Sequence, residues 1–81
     1  MEIYNYSIIV NENELDDKDL MKILELKQVL VSIHAKTIYT DSFTGFKLCL
    51  QSTPETDDGR IALIQHFKAN YAGNDVWETP S

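Results

Sequence analysis

The spacing of apolar residues changes twice along the chain, and this change constrains the fold more than any other feature. Residues 3–10 alternate with a period of two and are rich in aromatic and β-branched side chains, which is typical of a strand. Residues 16–30 have apolar side chains at helical spacing, and a period of two returns in residues 33–51. The pattern therefore predicts a strand, a helix and then two more strands.

The predicted first strand has one side that is entirely apolar or aromatic, and we expect that side to face the core. Its members are Tyr4, Tyr6, Ile8 and Val10. The predicted helix over residues 16–30 should bury the stripe Leu20, Ile23, Leu24 and Leu30, with Asp16 or Asp17 as its N-cap. This places a helix against one face of a sheet.

The next two strands are predicted to form a hairpin that turns around Phe43 and Thr44. In this register Ile38 lies opposite Cys49. The inward side of the hairpin is expected to carry Ile33, Ala35, Thr37, Tyr39, Phe46, Leu48 and Leu50.

A second helix is predicted from the capping-box spacing between Ser52 and Glu55 to about Ala72, where Gly73 would end it. Its expected buried stripe is Ile61, Ile64, Phe67 and Tyr71. The pattern also allows a short last strand around Val76 and Trp77, but does not require it.

The element order β-α-β-β-α, with the optional last β, predicts one α+β domain over residues 1–81. This is the split-βαβ, ferredoxin-like order, in which two helices cover one face of an antiparallel sheet and the other face stays open. The alternative is a sheet in which the first strand pairs directly with the second.

Charge and cysteine content exclude several classes of function. A formal net charge of −6 argues against nucleic acid and anionic membranes as direct partners. A single cysteine allows no intrachain disulfide, and with two histidines it makes a structural zinc site unfavourable. The N-terminus lacks a basic signal-peptide region, and no apolar run is long enough to span a membrane, so a cytoplasmic location is expected.

Candidate catalytic and metal sites fail on predicted geometry. In the predicted register His34 lies about 13 Å along the sheet from Cys49, beyond the reach of a nucleophile–base pair. His66 should face solvent. The stretch 11–22 lacks the calcium-loop pattern, because Leu15, Asp16 and Lys22 stand where the loop needs a ligand, glycine and glutamate. We therefore expect no enzyme activity, no metal and no cofactor.

Two acidic groups lie at helix starts and are predicted to sit at opposite ends of the sheet. The second group, Glu55, Asp57 and Asp58, is explained by the favourable effect of acid near a helix N-terminus. The first lies with the hairpin tip, and residues 73–75 are placed at the same end. Its candidate partner-binding residues are Glu12, Glu14, Asp16, Asp17, Asp19, Asp41 and an exposed Phe43.

These features predict a non-enzymatic acidic domain that binds a basic protein. Size and charge favour an inhibitor or an immunity or antitoxin-type protein, such as a phage anti-defence or anti-CRISPR protein, that occupies a basic surface of a nuclease or nucleoprotein complex. One alternative is a self-assembling domain that forms a homodimer through the open sheet face. Its residues would be Ile3, Ile9, Ile38 and Cys49. A small ligand-binding regulatory domain is the other alternative.

Overall fold

In residues 2–80, two α-helices and five strands form an α+β fold around one mixed sheet. The computed structural model describes residues 2–80. In chain order the elements are β1 (Tyr4–Val10), α1 (Asp17–Leu26), β2 (Ser32–Thr40), β3 (Phe43–Ser52), a short 3₁₀ helix (Pro54–Thr56), α2 (Asp58–Phe67), β4 (Asn70–Gly73) and β5 (Val76–Glu78). Within that range no helix is long and apolar enough to cross a membrane.

The strand order is β2-β3-β1-β5-β4, which differs from the predicted ferredoxin-like order. The first part agrees with the prediction, because β3 lies antiparallel between β1 and β2. The last part does not. Where a ferredoxin-like sheet has one final strand antiparallel to β1, this chain has a hairpin whose second strand, β5, pairs parallel to β1.

The core lies between the sheet and the two helices. Tyr6, Ile8 and Val10 of β1 are buried, as the alternation predicts, and Ile8 and Val10 have no exposed surface. Tyr4, at the start of the strand, is 40% exposed. The other buried apolar residues are Leu26, Leu30, Ile33, Leu48, Leu50, Leu63 and Phe67.

The prediction of which side chains of α1 are buried is wrong in part. Leu30 is buried after the end of the helix and Ile23 packs against the core, but Leu20 and Leu24 are 47% and 60% exposed. Leu26 takes the buried position instead. The helix also ends at Leu26 rather than at residue 30. Apolar side chains lie on several sides of this helix, so the helical period alone could not select the buried side.

The predicted extent and face of α2 also need correction. The capping box joins Thr53 and Thr56 around the 3₁₀ helix, not Ser52 and Glu55. The helix ends at Phe67, because Lys68 adopts the left-handed conformation with φ of 54°. Among the predicted stripe residues Phe67 is buried, Ile64 packs against the core, and Ile61 is 43% exposed. Leu63 is the fully buried residue.

The segment after α2 forms a hairpin rather than a helix end and one strand. Tyr71 lies in β4 opposite Trp77 in β5, and their ring centroids are 4.9 Å apart. The turn residues Asn74 and Asp75 have φ of 55° and 59°, which is the conformation that tight hairpin turns require.

The β2–β3 hairpin turns at Asp41 and Ser42, so the predicted register is wrong by four residues: Thr40 pairs with Phe43 and not with Lys47. Phe43 and Thr44, around which the turn was predicted, lie inside β3 together with Gly45. A Cβ at this position would lie 2.2 Å from the Val10 carbonyl oxygen and 2.6 Å from Cζ of Phe43. Glycine is therefore needed for close packing within the strand.

The burial pattern predicts a difference between two leucines on the helices. Leu63→Ala should lower the free energy of unfolding by about 2–5 kcal/mol, because it leaves a cavity in the core. Leu24→Ala is the matched control and should change it by less than about 0.5 kcal/mol, because Leu24 is exposed. Urea denaturation followed by circular dichroism measures both values, and equal losses would contradict the observed orientation of α1.

Candidate functional site

Acidic side chains gather at the end of the sheet where β1 ends and the β2–β3 hairpin turns. Glu12 and Glu14 lie in the loop after β1, Asp16 and Asp17 begin α1, and Asp41 lies at the hairpin tip. All five are exposed. We call these five residues the acidic pole. Residues 74 and 75 were predicted to join this end, but the Ser7 N–H donates to the Asp75 carbonyl, which places the turn beside the middle of β1.

Asp16, one of the two N-caps that the sequence allows, caps α1. Its Oδ1 accepts from the Asp19 N–H at 2.9 Å, and the Asp16 N–H donates to Asp19 Oδ2 at 3.1 Å. The hydrogen bond from the Asp19 backbone holds the pKa of the Asp16 carboxyl below its ordinary value. Part of the acidic stretch therefore stabilises the helix start.

Asp19 joins the two helices and is only 9% exposed. Its Oδ1 lies 2.6 Å from Nε2 of His66 on the last turn of α2. The His66 side chain is only 20% exposed, so the prediction of a solvent-facing His66 is wrong. Since both carboxylate oxygens of Asp19 bind within the chain, Asp19 cannot present its charge to a partner. The spacing of single residues gave no signal for this contact, which joins residues 47 positions apart.

Phe43 is not the exposed hairpin tip that was predicted. It begins β3, is half-buried and has its ring against Gly45. It lies on the sheet face opposite the helices and lines a shallow cleft of about 240 Å³ with Ile9, Asn11, Glu78 and Thr79. The acidic pole therefore needs a different apolar neighbour if it is to bind a protein.

The exposed side of α1 supplies that neighbour. Leu20, Met21 and Leu24 are 47%, 70% and 60% exposed. We call these three residues the α1 strip. Met21 and Leu24 line a shallow groove with Glu25 and Gln28. The sequence did not predict this surface, because the helical spacing placed Leu20 and Leu24 in the core.

The uncovered face of the sheet carries the residues of the predicted dimer surface. Ile3 precedes β1 and is 39% exposed, and Ile9, Ile38 and Cys49 are half-buried. Polar and charged side chains separate them. Lys36 lies opposite Lys47, and Gln51 bridges Ser32 and Asn5 by hydrogen bonds of 3.0 and 2.8 Å. The apolar residues are thus dispersed on this face.

His34 and Cys49 are directly opposite each other in adjacent strands, which corrects the predicted separation of about 13 Å. Both line a cleft of about 360 Å³ on the uncovered face, together with Ser7 on β1. The side chains of opposite residues lie close enough to interact. His34 is exposed and Cys49 is half-buried.

The second acidic group lies at the other end of the sheet, as predicted. Asp57 accepts from Arg60 at 2.7 Å and from the Ser52 hydroxyl at 3.3 Å. The Arg60 guanidinium also lies over the rings of Tyr6 and Trp77, at 5.5 and 5.2 Å from their centroids. Across residues 2–80 no three His, Cys, Asp or Glu side chains are placed to hold a metal ion.

The cap predicts a pH dependence of stability. Because the folded-state pKa of Asp16 lies below 3.8, its ionised form stabilises the fold above that pH, and the contribution is lost as the pH falls through the lowered pKa. The difference in urea midpoint between wild type and Asp16→Asn should therefore narrow below pH 3.8. Asp41→Asn, which removes the same charge without altering a helix cap, is the control. If the difference in urea midpoint between wild type and Asp16→Asn stayed constant with pH, it would contradict the role of the ionised Asp16 as the helix cap.

Comparisons of the chain with protein-family models, with curated proteins and with solved structures found no match. The function is therefore inferred from the chain's own surfaces. Of these, the acidic pole with the adjacent α1 strip combines charge with exposed apolar side chains.

Proposed function

We propose that this chain is a protein-binding domain that occupies the basic surface of its partner, in the manner of an inhibitor or immunity-type protein. The observation that carries the proposal is the position of the α1 strip directly after the acidic first turn of α1. This arrangement combines the two components of a specific protein interface, which are apolar anchor residues and a complementary electrostatic field.

The acidic and apolar side chains are neighbours on one helix surface. Asp17 precedes Leu20 by three positions and Met21 by four, and Leu24 follows Leu20 by four. Residues three and four positions apart lie side by side on a helix. A partner that contacts the strip is therefore also within reach of the acidic pole.

The exposed apolar side chains supply the affinity in this proposal. Large apolar side chains that are left in water on one side of a short helix lower the free energy when a partner covers them. With Phe43 half-buried against Gly45, the anchor that the sequence analysis placed at the hairpin is replaced by Leu20, Met21 and Leu24.

The acidic residues define the partner class. Glu12 and Glu14 are exposed and lie outside the capping box, so their charge is free to act on another molecule. Elsewhere on α1, Lys22 lies 3.3 Å from Glu25, which offsets one of the nearby positive charges. Proteins that bind nucleic acid carry clustered Lys and Arg, so a nuclease or nucleoprotein complex has the complementary surface. A domain that covers this basic surface prevents nucleic acid from binding there, and it needs no catalytic activity to do so.

The test uses affinity capture from the native host with identification by mass spectrometry, followed by binding kinetics with the purified partner. The double variant Glu12→Lys/Glu14→Lys should slow association at least tenfold and reduce its salt dependence. The control Glu55→Lys/Asp58→Lys makes the same change in net charge at the opposite end of the sheet and should leave association nearly unchanged. Equal effects of the two double variants would refute a docking role for the acidic pole.

A second pair of variants tests the apolar anchors. Leu24→Ser should speed dissociation at least tenfold, because it removes a side chain that the partner would bury. Ile61→Ser is the matched control, since Ile61 is 43% exposed on the other helix. Circular dichroism verifies that both variants are folded. Unchanged dissociation of Leu24→Ser would show that the strip is not part of the interface.

A further inference from the structure

The strand β2 forms a free edge of the sheet over nine residues, Ser32–Thr40. Its pairing with β3 is regular from end to end, and it contains no proline. Proteins usually protect such edges with prolines, bulges, charges or short strands. The opposite edge follows this rule, because β4 has only four residues and a register shift between Tyr71 and Gly73. The edge of β2 carries one lysine, Lys36, and otherwise lacks these protections.

The backbone groups that point away from the sheet can be assigned from the hydrogen bonds of β1. The Ser7 N–H donates to Asp75, and Ile9 accepts from Thr79, so the odd-numbered residues of β1 face β5. The even-numbered residues therefore face β3, and by alternation the odd-numbered residues of β3 face β2. Cys49 lies opposite His34, so the even-numbered residues of β2 face β3. The unpaired backbone groups of β2 then belong to its odd-numbered residues.

The side chains of these odd-numbered residues are also uncovered along most of the strand. Ile33 is buried beneath the helices, but Ala35, Thr37 and Tyr39 are exposed, and Tyr39 is 76% exposed. Tyr39 was predicted to face the core. The helices leave this part of β2 bare, so both the edge and the adjacent face are open to another strand.

We propose that two copies of the chain pair through β2 in an antiparallel, twofold-symmetric arrangement centred on Thr37. Two five-stranded sheets then become one sheet of ten strands. The symmetry makes the interface isologous, so each residue i meets residue 74 − i of the second copy. Residues 34–40 of each copy take part, and none belongs to the α1 strip. The proposal is therefore independent of the proposed partner binding.

The side-chain pairs across the twofold axis favour this register over its neighbours. Thr37 meets Thr37 of the second copy, and two threonines in opposite positions can hydrogen-bond. Ala35 meets Tyr39, so a small side chain lies opposite a large one. Lys36 meets Ile38.

Other registers are less favourable. Centring the axis on Lys36 would place two lysines directly opposite each other, which is destabilising. Centring it on Ala35 would place His34 opposite Lys36 and leave Tyr39 without a partner. The register centred on Thr37 is the one that joins seven residues of each copy and separates the positive charges.

Disulfide cross-linking tests the register directly, in a Cys49→Ser background. In a hydrogen-bonded antiparallel pair the Cα atoms are about 5.5 Å apart, which suits a disulfide. Thr37→Cys should therefore form a covalent dimer under mild oxidation. Ala35→Cys alone and Tyr39→Cys alone should not, because four positions along a strand separate equivalent residues by about 13 Å. A mixture of the Ala35→Cys and Tyr39→Cys chains should cross-link.

The oligomeric state of the unmodified chain provides the second measurement. Light scattering during size-exclusion chromatography should give a mass that rises with concentration towards twice 9.3 kDa. Thr37→Lys should remain at the monomer mass with an unchanged circular dichroism spectrum, because it places two lysines opposite each other. A wild-type monomer at all concentrations, or equal cross-linking of the Thr37→Cys and Tyr39→Cys chains, would overturn the proposal.

Discussion

The burial of one side of β1 is the interaction on which the rest of the structure depends. Ile8 and Val10 have no exposed surface, and Tyr6 retains only 6%. The strand is central in the sheet, paired with β3 on one side and with β5 on the other. Because successive side chains of a strand point to opposite faces, burying this side determines which face of every paired strand meets the helices. The uncovered face follows from that choice, and the strand order leaves β2 at a free edge.

The acidic segment after β1 contains two pairs of acids in different surroundings. Asp16 and Asp19 form the capping box, and Asp19 also contacts His66, so the start of α1 is joined to the end of α2. Glu12 and Glu14 take no part in the capping box and remain exposed. A helix cap accounts for the first pair of acids and not for the second. The surplus charge next to an exposed apolar strip is what supports a binding role.

Two features of the fold differ from the sequence predictions for definite physical reasons. The hairpin was predicted to turn around Phe43 and Thr44, but both residues lie in β3, and so does Gly45, where the Phe43 ring and the Val10 carbonyl oxygen leave no space for a side chain. The misplaced turn shifted the predicted register and separated His34 from Cys49. The orientation of α1 was wrong for another reason. A helix with leucines on more than one side satisfies several amphipathic patterns, and the sheet decides which one is buried.

Local patterns in the sequence were sufficient to determine the number and type of the first four elements, the inward side of β1, the Asp16 cap and the position of the acidic pole. The position of the acidic pole follows from the order of the elements, and each of the others depends on neighbours within a few residues. Tertiary structure alone decided the hairpin register, the buried side of α1, the parallel pairing of β5 with β1 and the contact between Asp19 and His66. These features depend on which distant surfaces meet. Short-range spacing carries no information on that, because several partners would satisfy the same local pattern.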